Sequence, residues 1–194
     1  MMKKTEIFAI DPHSLVKDAF THKIRSTQLD WRRTATLNQS RETLNSWKGR
    51  GLTLIGKIQV VKSFTIPKFL NKAALISVPE DQVKEISKLS YHFIWKGNDK
   101  IKRSALINDI NYGGLKMLDI HSIICAQREM VLKNYGDEEN HSSWKITLDF
   151  SLSGVVGKFI LHCNFDTRKL PIYLLPFYKE CLDAWSHTRT LRTK

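Results

Sequence analysis

Apolar residues along this chain recur three or four positions apart over most of its length, and alternation is confined to one short stretch. Leu37, Leu44 and Trp47 stand near successive helical turns, and Gly49 and Gly51 follow, where the lack of a Cβ relieves the steric cost of leaving a helix. A first helix is therefore expected to end near Trp47. Thr53 is placed to cap a second, in which Leu54, Ile55, Ile58, Val60, Val61 and Phe64 cover most of the circumference. A helix apolar nearly all round must be buried between neighbours. Pro67 removes a backbone donor and crowds the preceding turn, so the rod is expected to be interrupted or kinked there and to resume through Phe69, Leu70, Ala73 and Leu75.

Pro79 suits the first turn of a third helix, with Glu80 and Asp81 at its positive end and Val83, Ile86, Leu89, Phe93 and Ile94 forming a stripe to Trp95. Gly97 is expected to close it. Residues 98–118 mix charges with short apolar runs and contain Gly113-Gly114, which reads as a loop or short hairpin-like excursion. Asp119 is expected to cap a fourth helix carrying Ile120, Ile123, Ile124, Gln127, Met130 and Val131 in register and ending near Gly136. Beyond an acidic surface linker, Asp137-Glu138-Glu139, Trp144, Ile146, Leu148 and Phe150 alternate briefly before Gly154 and Gly157. Phe159-Ile160-Leu161, Pro171, Pro176 and a helix from about Phe177 to Trp185 mark a small helical subdomain. Residues 1–36 show no sustained periodicity. The pattern predicts a mainly α chain: an extension over 1–36, a helical bundle over 37–97, an excursion and fourth helix over 98–136, and a mostly helical subdomain over 137–194 with little or no strand.

Charge sharpens this picture. The 194 residues carry a formal net charge of +12, of which +8 falls within residues 31–72, where nine Lys and Arg face only Glu42. Such a field draws polyanions, because each neutralised phosphate releases condensed counterions. Nucleic acid is the expected partner. An anionic membrane surface ranks second, since the apolar underside that would insert is needed for internal packing, and no run approaches the roughly 18 apolar residues of a membrane helix. Cys125, Cys163 and Cys181 are widely spaced, as in reduced thiols inside a cell, and the apolar run at Ile7–Ile10 is too short for a signal peptide. Cytoplasm or nucleus is the expected location. Seven cations within the bundle are candidate phosphate contacts: Arg41, Lys48, Arg50, Lys57, Lys62, Lys68 and Lys72. Arg50 stands first among them, because a guanidinium flanked by Gly49 and Gly51 can approach a phosphate closely and pair in a bidentate way. Lys57 and Lys62, on a largely apolar helix, are expected to reach out from its edge. Trp47 and Trp95, beside apolar stripes at helix ends, are expected in the core rather than stacked on bases.

Three motifs in order, Trp47 to Phe69, Phe93-Ile94-Trp95 and Gly113-Gly114-Leu115-Lys116-Met117-Leu118-Asp119-Ile120, together with the later Leu161-His162-Cys163-Asn164-Phe165-Asp166, resemble the segment downstream of the catalytic palm in reverse transcriptases of LINE-type (non-LTR) retrotransposons. The resemblance runs from about Leu37 to Trp185. It implies a thumb-like bundle followed by a post-thumb region, which grips an RNA template or RNA/DNA hybrid across the minor groove through shape and backbone. It further implies that the polymerising chemistry lies upstream, in residues this chain does not contain. Two-metal polymerisation needs carboxylates that converge on Mg2+, supplied in that family by adjacent aspartates. No Asp-Asp pair exists in this sequence. The expectation is a non-catalytic fragment with no cofactor of its own, Mg2+ belonging to the absent palm. Former domain interfaces left exposed would favour self-association. The competing reading is a protein-interaction module or inert remnant.

Other chemistry is poorly served. His162, Cys163, Cys181 and His187 are zinc ligand types, yet they lack the close Cys pair that preorganises a tetrahedral site. No orienting third residue accompanies a Cys–His nucleophilic pair, and Gly113-Gly114 is not followed by the Lys-Ser/Thr of a phosphate loop.

Overall fold

Thr53 starts the central rod of the molecule as its spacing predicts: its backbone is extended (φ −63°, ψ 166°) and its Oγ1 accepts the Gly56 N–H at 3.2 Å. The computed structural model describes residues 36–154, 157–163, 165–170 and 174–192, all within the unit Thr34–Lys194. The extension expected over 1–36 lies outside the described residues apart from Thr36, as do Pro171 and Asn164. Among the described residues there are eight α-helices and no strand, so the chain is mainly α. They are α1 (Thr36–Trp47), α2 (Leu54–Val60), α3 (Ile66–Ala73), α4 (Glu80–Trp95), α5 (Arg103–Ile107), α6 (Ile120–Gly136), α7 (Trp144–Ser153) and α8 (Pro176–Arg192).

The rod consists of α2 and α3 joined through a π-helical turn, Val61–Thr65, in which the Ile66 N–H reaches back to the Val61 carbonyl. Pro67 therefore neither stops nor breaks the helical path. It sits in the first turn of α3, and the wider turn before it accommodates the donor that the ring lacks. Val61, Ile66, Phe69 and Ala73 are fully buried, as an element apolar on most sides requires. α1 packs on the π turn, α3 and α4, burying Thr36, Ser40 and Leu44.

α4 begins one residue later than expected, with Pro79 as its cap (φ −61°, ψ 139°) and its carbonyl accepting the Gln82 and Val83 N–H groups at 3.1 and 3.3 Å. Its end also differs. Lys96, and not Gly97, takes the left-handed position (φ 56°), while Gly97 continues at φ 154° and donates to the His92 carbonyl. Residues 98–118 make a hairpin-like path from helical pieces: α5, a 3-10 turn at Ile110–Tyr112, and a return segment whose Leu115 and Met117 N–H groups both donate to the Leu106 carbonyl, at 3.1 and 2.9 Å. Leu106 and Met117 anchor it in the core. The excursion closes tightly enough that a Cβ on Gly114 would lie 1.9 Å from the Asn108 carbonyl oxygen.

Asp119 caps α6 by accepting the Ser122 N–H at 3.1 Å. The buried face of that helix is Ile120, Ile124, Arg128, Leu132 and Tyr135, whereas Met130, placed inside by the sequence pattern, is 54% exposed. The register was masked by Arg128, a cation at the centre of the inward face. Only 1% of Arg128 is exposed, and its guanidinium donates to the carbonyls of Ala73 (2.5 Å) and Ile76 (2.9 Å) and to Glu180 Oε2 (3.1 Å), above the ring of Phe177. Glu180 also accepts from the Ser77 hydroxyl and from the Val78 N–H at 3.2 Å. One ion pair thus ties the end of the rod, the connection to α4, α6 and α8.

The brief alternation at 144–150 turns out to be helix α7, with Lys145, Leu148 and Leu152 inward and Ile146 70% exposed. α8 extends to Arg192, well past Trp185. Leu132 and Tyr135 of α6, Leu148 and Leu152 of α7, Ile160, Leu161, and Cys181 and Leu182 of α8 form one core. The fourth helix therefore packs with the last third of the chain as well as with α3 and α4.

Candidate nucleic-acid interface

Arg41 and Lys48 lie seven residues apart on α1, two turns along one face. Together with Leu44, Asn45, Leu89, His92 and Phe93 they line a groove of about 260 Å3 between α1 and α4. Its floor is apolar and its rim cationic. Arg41 is partly committed, to Glu85 at 3.3 Å and to Asn38 Oδ1 at 3.4 Å, both in the exposed zone where such a pair contributes little.

Lys57 takes another role. Its Nζ donates to the carbonyl of Ile94 at 2.9 Å, satisfying one of the orphan acceptors in the last turn of α4. Burial, and then the ammonium groups of Lys96 and Lys100, hold its pKa below that of an ordinary lysine. These three lysines form a second concentration of charge at the α4 terminus. Lys68 leans on α1 from elsewhere, donating to Thr43 Oγ1 at 3.1 Å. Thr43 is two residues from Arg41, about 200° around the helix, so Lys68 occupies the flank opposite Arg41 and Lys48. Arg50 curls back over the indole of Trp47, its guanidinium carbon 4.3 Å from the ring centroid. Lys62 and Lys72 are half-buried along the rod.

The seven cations thus divide among the two flanks of α1, the rod and the end of α4. What they share is a shortage of counter-charge. Among the described residues only Arg41 of the seven faces a carboxylate, whereas Lys84, Arg103, Lys116 and Arg128, outside this stretch, are paired with Glu80, Asp99, Asp109 and Glu180.

Sequence reasoning missed Lys96 and Lys100. The signal was present in the run from Lys96 to Arg103, where Lys96, Lys100, Lys102 and Arg103 surround the single acid Asp99, but balance over the longer window concealed it. It also placed Trp47 in the core. Trp47 is half-buried and stacks with Phe64 at a centroid distance of 5.5 Å, and Phe64 is 45% exposed. Trp95 is half-buried, with its indole N–H enclosed and without a hydrogen-bond partner among the described residues.

The late His and Cys residues do not converge: among the described residues no three His, Cys, Asp or Glu side chains gather as a metal ion would require. Burial pushes the Cys181 thiol up to about 12, which keeps it protonated and unreactive at neutral pH. Among the described residues no helix is long and apolar enough to cross a membrane. No known protein-family model matches the chain.

Proposed function

We propose that this chain is a non-catalytic nucleic-acid-gripping module, corresponding to the thumb and post-thumb segment that follows the palm in LINE-type reverse transcriptases. It holds an RNA/DNA duplex by its backbone, without reading base sequence, in the cytoplasm or nucleus. The observation that carries this reading is the run of cations over α1 and the rod with, among the described residues, a single carboxylate partner. Uncompensated surface cations repel one another and weaken a fold, so their concentration in one bundle is best explained by a polyanion that relieves the repulsion. Catalysis is not assigned to it, because the sequence has no adjacent aspartates to hold two Mg2+ ions.

Binding of a blunt RNA/DNA hybrid, followed by filter retention across a salt series, tests the proposal. If about four phosphates are neutralised, log affinity falls against log salt with a slope of roughly −3 to −4. Reversal of Lys48 and Lys62 to Glu should flatten the slope by about one for each contact removed while leaving the helical signal intact. A salt-independent affinity, or one untouched by both reversals, overturns the proposal.

A further inference from the structure

Between α1 and the rod the molecule carries a small aromatic outcrop that duplex gripping does not require. Phe64, in the π turn, stacks with Trp47 at the end of α1 at 5.5 Å with an interplanar angle of 29°, and remains 45% exposed. Arg50 covers the Trp47 ring at 4.3 Å. Lys48 and Arg50 are exposed, and neither has a carboxylate partner among the described residues. Space is open at the glycines of the turn bearing them: a Cβ added at Gly49 or Gly51 meets nothing within 4 Å. Planar aromatic surface, a planar cation and unneutralised charge therefore adjoin in open space.

The outer ring of this pair, Phe64, is left open to solvent directly beside exposed cations. A flat group that offers both π surface and delocalised charge suits a nucleobase, which stacks on aromatic rings and on guanidinium planes alike, with its phosphate beside a lysine or arginine. A base within a duplex already has neighbours on both faces. Only an unpaired base has a face free to stack, and every base has such a face, so this contact tolerates any sequence.

We propose that Trp47, Phe64 and Arg50 form a stacking platform for an unpaired nucleotide at a duplex end or overhang, with Lys48 beside its phosphate. The proposal rests on the nucleic-acid reading above and narrows it to a junction between single and double strand.

The test compares one RNA/DNA hybrid in two forms, blunt and with a four-nucleotide single-stranded overhang, for the unaltered protein, Phe64→Ala and Phe64→Leu. The Leu variant retains apolar packing without a planar face and controls for loss of folding. The unaltered protein should prefer the overhang by roughly tenfold, as expected for one base stacked on an aromatic group. Both variants should lose that preference while binding the blunt hybrid as before. An overhang preference that is absent, or that survives Phe64→Leu, overturns the platform and leaves duplex gripping standing. Binding of the overhang form with no affinity for the blunt hybrid sustains the platform and overturns duplex gripping, and failure to bind either form overturns both.

Discussion

Gly114 shows how much a single residue can decide. Its backbone runs so close to Asn108 that a methyl group would overlap a carbonyl oxygen, and neither partner is a flexible side chain able to move aside. Gly114→Ala should therefore cost about 2 kcal/mol or more, by the usual cost of overpacking, read as a lowered urea midpoint. Gly49→Ala is the control: with open space around its Cβ, it should change stability by no more than about 0.5 kcal/mol. A Gly114→Ala protein as stable as the control would contradict this account of the turn. The sequence marked the Gly113-Gly114 pair as a turn but could not say which glycine was irreplaceable. That distinction comes from a contact with Asn108, six residues away, and not from the turn itself. Caps were legible for the opposite reason: Thr53 and Asp119 act on N–H groups three residues ahead, so local spacing contains the whole interaction. Lys96 escaped notice because Gly97 beside it offers the more obvious left-handed residue.

At the scale of elements, the arginine within α6 governs how the helices meet. Replacing Arg128 by Met leaves the Ala73 and Ile76 carbonyls without their donor and Glu180 without its cation, and a loss of about 3–5 kcal/mol is expected from breaking a buried pair on one side. Arg128→Lys should recover little, since one ammonium cannot serve three acceptors that lie around a planar fork. Adding Glu180→Gln to Arg128→Met should restore part of the loss by removing the stranded charge. Denaturant unfolding of the three variants checks this, and a loss below 1 kcal/mol for Arg128→Met would refute it. Helix existence was readable from apolar spacing almost throughout. The register of α6 was not, because its inward line passes through a residue type that spacing rules assign to the surface, and the acceptors that make its burial possible belong to distant segments. The helical register at Trp144–Phe150 was hidden for a related reason: Lys145 points inward, where its Nζ donates to the Asp137 carbonyl, and Ile146 points out.

For the whole molecule, charge sets a cost that solution conditions can reveal. With a net charge of +12, of which +8 falls within residues 31–72, self-repulsion opposes the compact state. Raising salt from about 20 to 500 mM shortens the Debye length from roughly 20 to 4 Å and should raise the melting temperature by a few degrees, while the same change weakens binding to nucleic acid. A melting temperature that falls or stays constant, followed by circular dichroism, would show that the cations are already balanced within the fold. The charge excess over 31–72 was legible from the sequence alone. Its division between the two flanks of α1 and the end of α4 was not, since that depends on how three helices turn toward one another.

The π turn within the rod has a consequence for that division. Lys57 and Lys68 are eleven residues apart, which in an unbroken α-helix would align them within about 20° of each other. The surplus residue absorbed between Val61 and Thr65 offsets the phase of everything downstream by about 100°, so that Lys57 addresses the end of α4 and Lys68 addresses α1. A single wider turn thus lets one element answer to two partners, and rewinding those same residues as plain α-helix would bring both lysines back onto one side.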